Sequence, residues 1–202
     1  MGRVSALLAV ALLSFQSVEA QSLSDFLKLL GNYSGTTEQS DDKAPSQVLT
    51  TESLLGTWNY YEPAARYDGD DVIGSLGLSA LESLLPSLYS KAGLKAGSGS
   101  VTFSSPDVFS ARIGEYNITG KFRITSSDGA IILSATVRNV SGTLYGHAAI
   151  ENGTLTLVID AAKAAALAEQ VSPKAASNNY FKILKSVLNS YPGMKFGCKM
   201  KR

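Results

Sequence analysis

The stretch from Leu54 to Tyr61 constrains this chain more than any other, because it holds the single tryptophan, Trp58, two residues after Gly56. Side chains of an extended segment alternate between two faces, so Gly56, Trp58 and Tyr60 share one of them. A large indole on that face fills the end of a core, and a glycine beside it lets another backbone come close. Such a segment needs strands on its edges and a cover over its apolar face.

Pro63 is expected to stop the pairing of this first strand. From Ser98 onward the apolar residues recur every second position. Val101 and Phe103 form one strand face, and Ser105, Pro106 and Asp107 turn the chain into Phe109, Ala111 and Ile113. Gly114 and Glu115 suit a two-residue hairpin loop. Tyr116, Ile118, Gly120, Phe122 and Ile124 then oppose Asn117, Thr119, Lys121 and Arg123. Ser127, Asp128 and Gly129 lead into Ile131, Leu133, Ala135 and Val137. After Gly142 come Leu144, Gly146, Ala148 and Ile150. Asn152 followed by Gly153 is a hairpin signal before Leu155, Leu157 and Ile159. Met194, Phe196, Cys198 and Met200 alternate with Lys195, Gly197, Lys199 and Lys201 as a last strand. The count is eight strands. With an even number of antiparallel strands the last runs opposite to the first, so the two can pair and leave no exposed edge.

Helical spacing interrupts this pattern in two places. After Asp70 or Asp71, either able to cap, Val72, Ile73, Leu76, Leu81, Leu84, Leu85 and Leu88 follow a helical stripe with Pro86 inside it. Asp160 can cap an alanine-rich helix to about Val171, and Ser177 a second one carrying Tyr180, Ile183, Leu184, Val187, Leu188 and Tyr191.

The first 50 residues have a different character. Residues 1–20 have the layout of an export signal: Arg3 in front, a short apolar run from Val4 to Leu13, and Val18, Glu19 and Ala20 at a cleavage site. No cysteine lies near that site, which excludes a lipid anchor there. Residues 21–50 read as a short helix from Ser22 to Leu30 followed by a flexible polar tether, and residues 51–202 as the barrel domain.

Composition then removes whole classes of function. The formal net charge is +1, which gives no electrostatic drive toward nucleic acid. One cysteine, Cys198, forbids an internal disulfide, and one histidine, His147, removes most histidine-based metal and acid–base sites. No serine or cysteine has a base beside it to activate it. Asp68, Asp70 and Asp71 put Val72 where a calcium loop needs a ligand, so they read as helix-start residues. His147 lies opposite the Leu144 and Gly146 face and is expected outside, in solvent. Cys198 is expected to be buried and inert. Lys195, Lys199, Lys201 and Arg202 alternate with core positions and read as a solvated outer face. No catalytic residue, metal ligand or cofactor is expected, and the chain is read as non-enzymatic.

With those residues in place, the chain resembles a calycin, and more closely a family of exported Bacteroidetes proteins with a lipocalin-like domain of unknown function. The resemblance is carried by Leu54 to Trp58, by Lys91 to Gly97 leading into Val101 to Phe103, and by Ser190 to Lys195. It runs from about Leu54 to the end. It implies a mainly β, lipocalin-like (calycin) eight-stranded antiparallel barrel with helical insertions. It also implies an exported protein, in the periplasm or at the surface of a Gram-negative cell. In lipocalins a basic residue late in the barrel stacks on the tryptophan, and Lys195 and Lys199 lie in the right region. Two features depart from lipocalins: a helical segment after the first strand, and two helices before the last strand instead of one after it.

By parity Trp58, Tyr60, Phe103, Phe109, Tyr116, Phe122, Leu133, Leu157 and Phe196 point into the barrel. They are the candidate ligand-binding set. Parity is compatible with a lumen filled by these side chains. It is equally compatible with room for an apolar ligand beside the small inward residues Gly120, Ala135, Gly146 and Ala148. The first option suits a protein-interaction or envelope-assembly module working through the N-terminal helix and tether. The second suits a binding protein for a small hydrophobic molecule.

Overall fold

The computed structural model describes residues 48–69, 94–113, 116–137, 139–171 and 191–202, with helical positions at 78, 82, 85, 86, 89, 90, 182, 185, 186, 188 and 189. Of Ile113 and Tyr116 it describes the backbone alone. The expected export signal, the 22–30 helix, most of the tether, the Asp70, Asp71 and Ser177 caps and the Gly114–Glu115 turn lie outside the described residues.

Eight strands form a closed barrel in which every strand pairs antiparallel with its neighbours in sequence, and β8 returns to β1. They are β1 (Gly56–Tyr67), β2 (Gly99–Ser104), β3 (Val108–Ile113), β4 (Tyr116–Ile124), β5 (Ala130–Val137), β6 (Val140–Glu151), β7 (Thr154–Asp160) and β8 (Met194–Lys201). The alternation read from the sequence is the alternation of burial: Val101, Phe103, Phe109, Ala111, Ile118, Phe122, Ile131 and Leu133 are all buried. The β6–β7 hairpin turns on Asn152 and Gly153 at φ 50° and 75°. Two positive φ values in a two-residue loop match the strand twist, which is why this dipeptide signals a hairpin.

Three expectations for the strands need correction. β1 does not end at Pro63 but runs to Tyr67, with Pro63 paired to Cys198 and a register shift between Tyr60 and Glu62. The β2 ladder stops at Asn59, Tyr60 adds one bond by accepting from the Gly97 N–H at 2.8 Å, and among the described residues no strand pairs with β1 on that side at Pro63, so a residue without an N–H is tolerated there. The β5 and β6 strands already pair at Val137 and Val140, with Asn139 between them at φ 66°, and Gly142 lies inside β6, paired with Ala135. Gly56 is not a point of close backbone approach either. Its φ is 117°, and the nearest atom to an added Cβ is Arg202 Nε at 3.8 Å, so the glycine is there for its backbone angle.

The two ends of the barrel differ. At one end a single helical turn, α1 (Thr51–Leu54), leads into β1 under a reciprocal cap between Thr50 and Ser53. Leu49 and Leu54 are buried there with Trp58, although Leu49 falls in the stretch expected to be tether. The connections β1–β2 and β7–β8, which carry the inserted helical residues, both emerge at the other end. There α2 (Ala161–Val171) begins with the Lys163 N–H donating to Asp160 Oδ1 at 2.9 Å. Leu85, Tyr89 and Leu188, from the segments either side, belong to the same buried cluster as the barrel interior.

Candidate functional site

The lumen divides into a packed half and a looser half. In the packed half Trp58 is 1% exposed and donates from Nε1 to the Leu54 carbonyl at 2.7 Å. Phe103 meets Phe122 edge to face at 5.0 Å, and Leu155, Ile131 and Met200 complete the layer with almost no exposure. Across the base, the Arg202 guanidinium lies 4.4 Å from the centre of the Trp58 ring. Its Nη2 donates to the carbonyls of Ser53 at 2.9 Å and Leu55 at 3.1 Å, tying the end of β8 to α1. A planar cation is suited to both tasks at once.

The basic partner of the tryptophan is therefore Arg202, neither Lys195 nor Lys199. Lys195 pairs with Asp68, which also holds Arg66 at 2.8 Å, and Lys199 donates to Glu62 at 2.9 Å. Asp68 is thus an ion-pair centre, and the helix start expected after it lies outside the described residues. Lys201 lies over the Tyr61 ring at 3.8 Å, so the outward lysines have partners, and Arg202 does not belong to that outer face. Parity with Met200 was the available signal for Arg202, two positions on.

The looser half lies beneath α2. A cavity of about 60 Å³ is walled by Phe109, Ile118, Leu133, Ala135, Val137, Leu144, Leu157, Ile159, Leu167 and Cys198, with Gly142 and Gly197. Every one of these side chains is apolar or a thiol. Cys198 is buried, and burial pushes its thiol up to about 12, so it is protonated and unreactive at neutral pH. Leu167 enters from α2 and lies over Gly142: a Cβ on Gly142 would be 2.6 Å from both of its methyl carbons.

Of the nine candidate residues, Phe109, Leu133 and Leu157 line this cavity. Trp58, Phe103 and Phe122 belong to the packed half, away from it. Phe196 is buried in the core, and of Tyr116 only the backbone pairing with Ile113 is described. Tyr60 stacks on Tyr89 with centroids 6.1 Å apart, and the Tyr89 hydroxyl donates to the Gly197 carbonyl at 3.0 Å. Burial pushes the Tyr60 hydroxyl up to about 12 and the fully buried Tyr89 hydroxyl further still. The insertion after β1 thus delivers a ring into the barrel core.

The small inward residues do not make room as expected. A Cβ on Gly120 would strike the Ser134 carbonyl and the Phe109 ring, and one on Gly146 the Val158 carbonyl. Those glycines are where neighbouring backbone comes close, and Ala148 is 1% exposed in the core. Only Ala135 of that group faces the cavity. Leu167 and Gly142, which sequence parity did not single out, shape it instead.

His147 is on the outer face as expected but half-buried, with Nε2 donating to the Asp128 carbonyl. Burial, with the nearby Arg66 charge, holds its pKa below the usual histidine value. Among the described residues no three of His, Cys, Asp or Glu gather as a metal site, and no helix is long and apolar enough to cross a membrane.

A closed eight-stranded antiparallel barrel, with a Gly-x-Trp strand at its base and an arginine stacked on the indole, defines a lipocalin-like protein. The chain belongs to the family described as lipocalin-like domain (DUF4923), which matches residues 32–202. The match begins earlier than Leu54, inside the polar stretch read as tether. Comparison with the curated proteins and with the solved structures finds no match.

Proposed function

We propose that this chain is an exported, non-enzymatic binding protein whose barrel takes a slim apolar group into the cavity beneath Leu167. The observation that carries the reading is an apolar-walled void at one end of a lumen whose other half is packed around Trp58, Phe103 and Phe122. An apolar cavity of roughly 150 Å³ stays dry and takes benzene. At about 60 Å³ this one suits the end of an alkyl or acyl chain, and a ring needs Leu167 to withdraw. The sole cysteine is buried and protonated, and the sole histidine is engaged outside the barrel, which supports a binding role over catalysis. Export rests on the layout of residues 1–20, with the periplasm or the cell surface of a Gram-negative cell as destination, and N-terminal sequencing of the protein from cell fractions tests it.

The binding experiment uses methyl NMR, because Trp58 lies in the packed half and its emission does not report the cavity. Medium-chain alkanoates are titrated into the full chain while the methyls of Leu133, Leu144 and Leu167 are followed. Saturable shifts that Ala135→Phe abolishes support the reading. Absence of saturable shifts at any chain length, or shifts that survive Ala135→Phe, overturns it. Absence of shifts favours the other reading, a protein-interaction or envelope-assembly module, which the tight packing around Trp58, Phe103 and Met200 already suits.

A further inference from the structure

The cavity beneath Leu167 is closed by a weaker kind of structure than the one that walls it. Every strand of the wall pairs with two neighbours in a closed ring, so parting two of them breaks a row of hydrogen bonds. α2 instead rests on the barrel through Ala161, Ala164, Ala165, Ala168 and Val171. An alanine buries a single methyl group and has no branch to interlock with its neighbours, so such a face holds a helix less firmly than leucines would. Lifting α2 breaks no backbone ladder.

Leu167 is the α2 side chain that lines the cavity, and it is only partly buried. It sits in the notch left by Gly142, near the Val137–Val140 pair where β5 meets β6, so it meets the wall at the barrel rim. The first turn of α2 is pinned: the Lys163 N–H donates to Asp160 Oδ1, and Lys163 Nζ lies 4.1 Å from the centre of the Tyr145 ring on β6. Leu167 is about 10 Å along the helix from that end, so a tilt of about 20° carries it about 3–4 Å and clears the notch. Further on, the Glu169–Lys185 ion pair holds α2 down, and both partners are part-exposed, so the hold is slight.

We infer that α2 is the gate of this cavity: it pivots on its first turn, and an alkyl end enters at the rim between Leu167 and Gly142 as the leucine lifts. The gate serves the binding function proposed above and rests on it for what enters, while its motion needs no ligand. With Leu167 seated, the void of about 60 Å³ takes only the end of a chain, so α2 sets both the route and the width of what is admitted.

Cys198 is a built-in reporter of this motion, because it lines the cavity and is the sole thiol. The full chain is treated at pH 8 with methyl methanethiosulfonate, a slim thiol reagent, and the gain in mass is followed over time. Leu167→Ala is expected to label about tenfold faster than the wild type, since lifting α2 then uncovers less apolar surface. Ile131→Val, which loosens the packed half by a comparable amount, keeps the wild-type rate. Lys185→Met, which leaves the leucine in place, labels about two- to fivefold faster. Opening of the β1–β8 seam is common to all four proteins, so the comparison isolates α2. The gate is overturned if Leu167→Ala and Ile131→Val speed labelling equally, which would mean that the thiol is reached by opening of the whole barrel. It is also overturned if neither Leu167→Ala nor Lys185→Met labels faster than the wild type. Labelling that follows α2 in a protein that binds no alkanoate supports the gate and removes the ligand alone.

Discussion

The last residue of the chain, Arg202, stacks over the only tryptophan, Trp58, at 4.4 Å while its Nη2 donates to the carbonyls of Ser53 and Leu55. Those contacts join the C-terminal end of β8 to α1 and cover the base of the barrel. Arg202→Ala is expected to cost about 1–2 kcal/mol in urea unfolding, for one cation–π contact and two charged hydrogen bonds at a partly exposed site. Arg202→Lys recovers only part of it, because a lysine cannot lie flat on the indole and reach both carbonyls. A loss no larger than that of Lys201→Ala would remove Arg202 from the list of residues that hold the fold.

Leu167 and Gly142 form the second pair to test. Gly142→Ala places a methyl against the Leu167 side chain and should destabilise by about 1 kcal/mol, as a mild overpacking. Leu167→Ala should cost about 1–2 kcal/mol, because this side chain is only partly buried. The double substitution is expected to cost less than the sum, since the new methyl occupies space that the leucine vacates. Strict additivity in thermal or urea unfolding would show that the two side chains do not share that space.

Titration of His147 should appear in stability. Its folded pKa is depressed by burial and by Arg66, so the unfolded state binds the proton more readily. Stability is then complete above the unfolded value of about 6.5 and falls as pH drops below it. Replacing His147 with Gln should flatten the stability profile between about pH 6.5 and 5. An unchanged slope in chemical denaturation at several pH values would assign the dependence to other groups.

Cys198 should be silent in the native protein. Its thiol is pushed up to about 12 by burial. A disulfide reagent at pH 8 should label it only at the rate at which the barrel opens, and quickly in denaturant. Rapid labelling of native protein would mean that the β1–β8 seam opens far more often than the rest of the barrel.

Much of the architecture was legible because period-two alternation is a local property. Each strand from β2 to β8 shows in its own residues which face is apolar, and the even strand count pointed to closure. Pro63 misled because its effect depends on whether β1 has a neighbour on that side, and the residues around it do not record that β2 departs after Asn59. The β5–β6 turn was misplaced because Asn139 adopts a positive φ that glycine more commonly signals. The candidate site was legible only as an inward-facing list. Three of its nine members meet at the cavity, because which inward residues pack against one another depends on the register around the whole barrel.

By itself the sequence determined the strand faces, the antiparallel meander, the burial of Trp58 and Cys198 and the family resemblance, all of which follow from side-chain periodicity or short motifs. Only the tertiary structure decided that Arg202 is the residue on the tryptophan, that Gly120 and Gly146 make way for backbone instead of ligand, and that Leu167 bounds the cavity. Each of these joins positions that stand far apart along the chain, and the distance between them is fixed by closing eight strands into one ring.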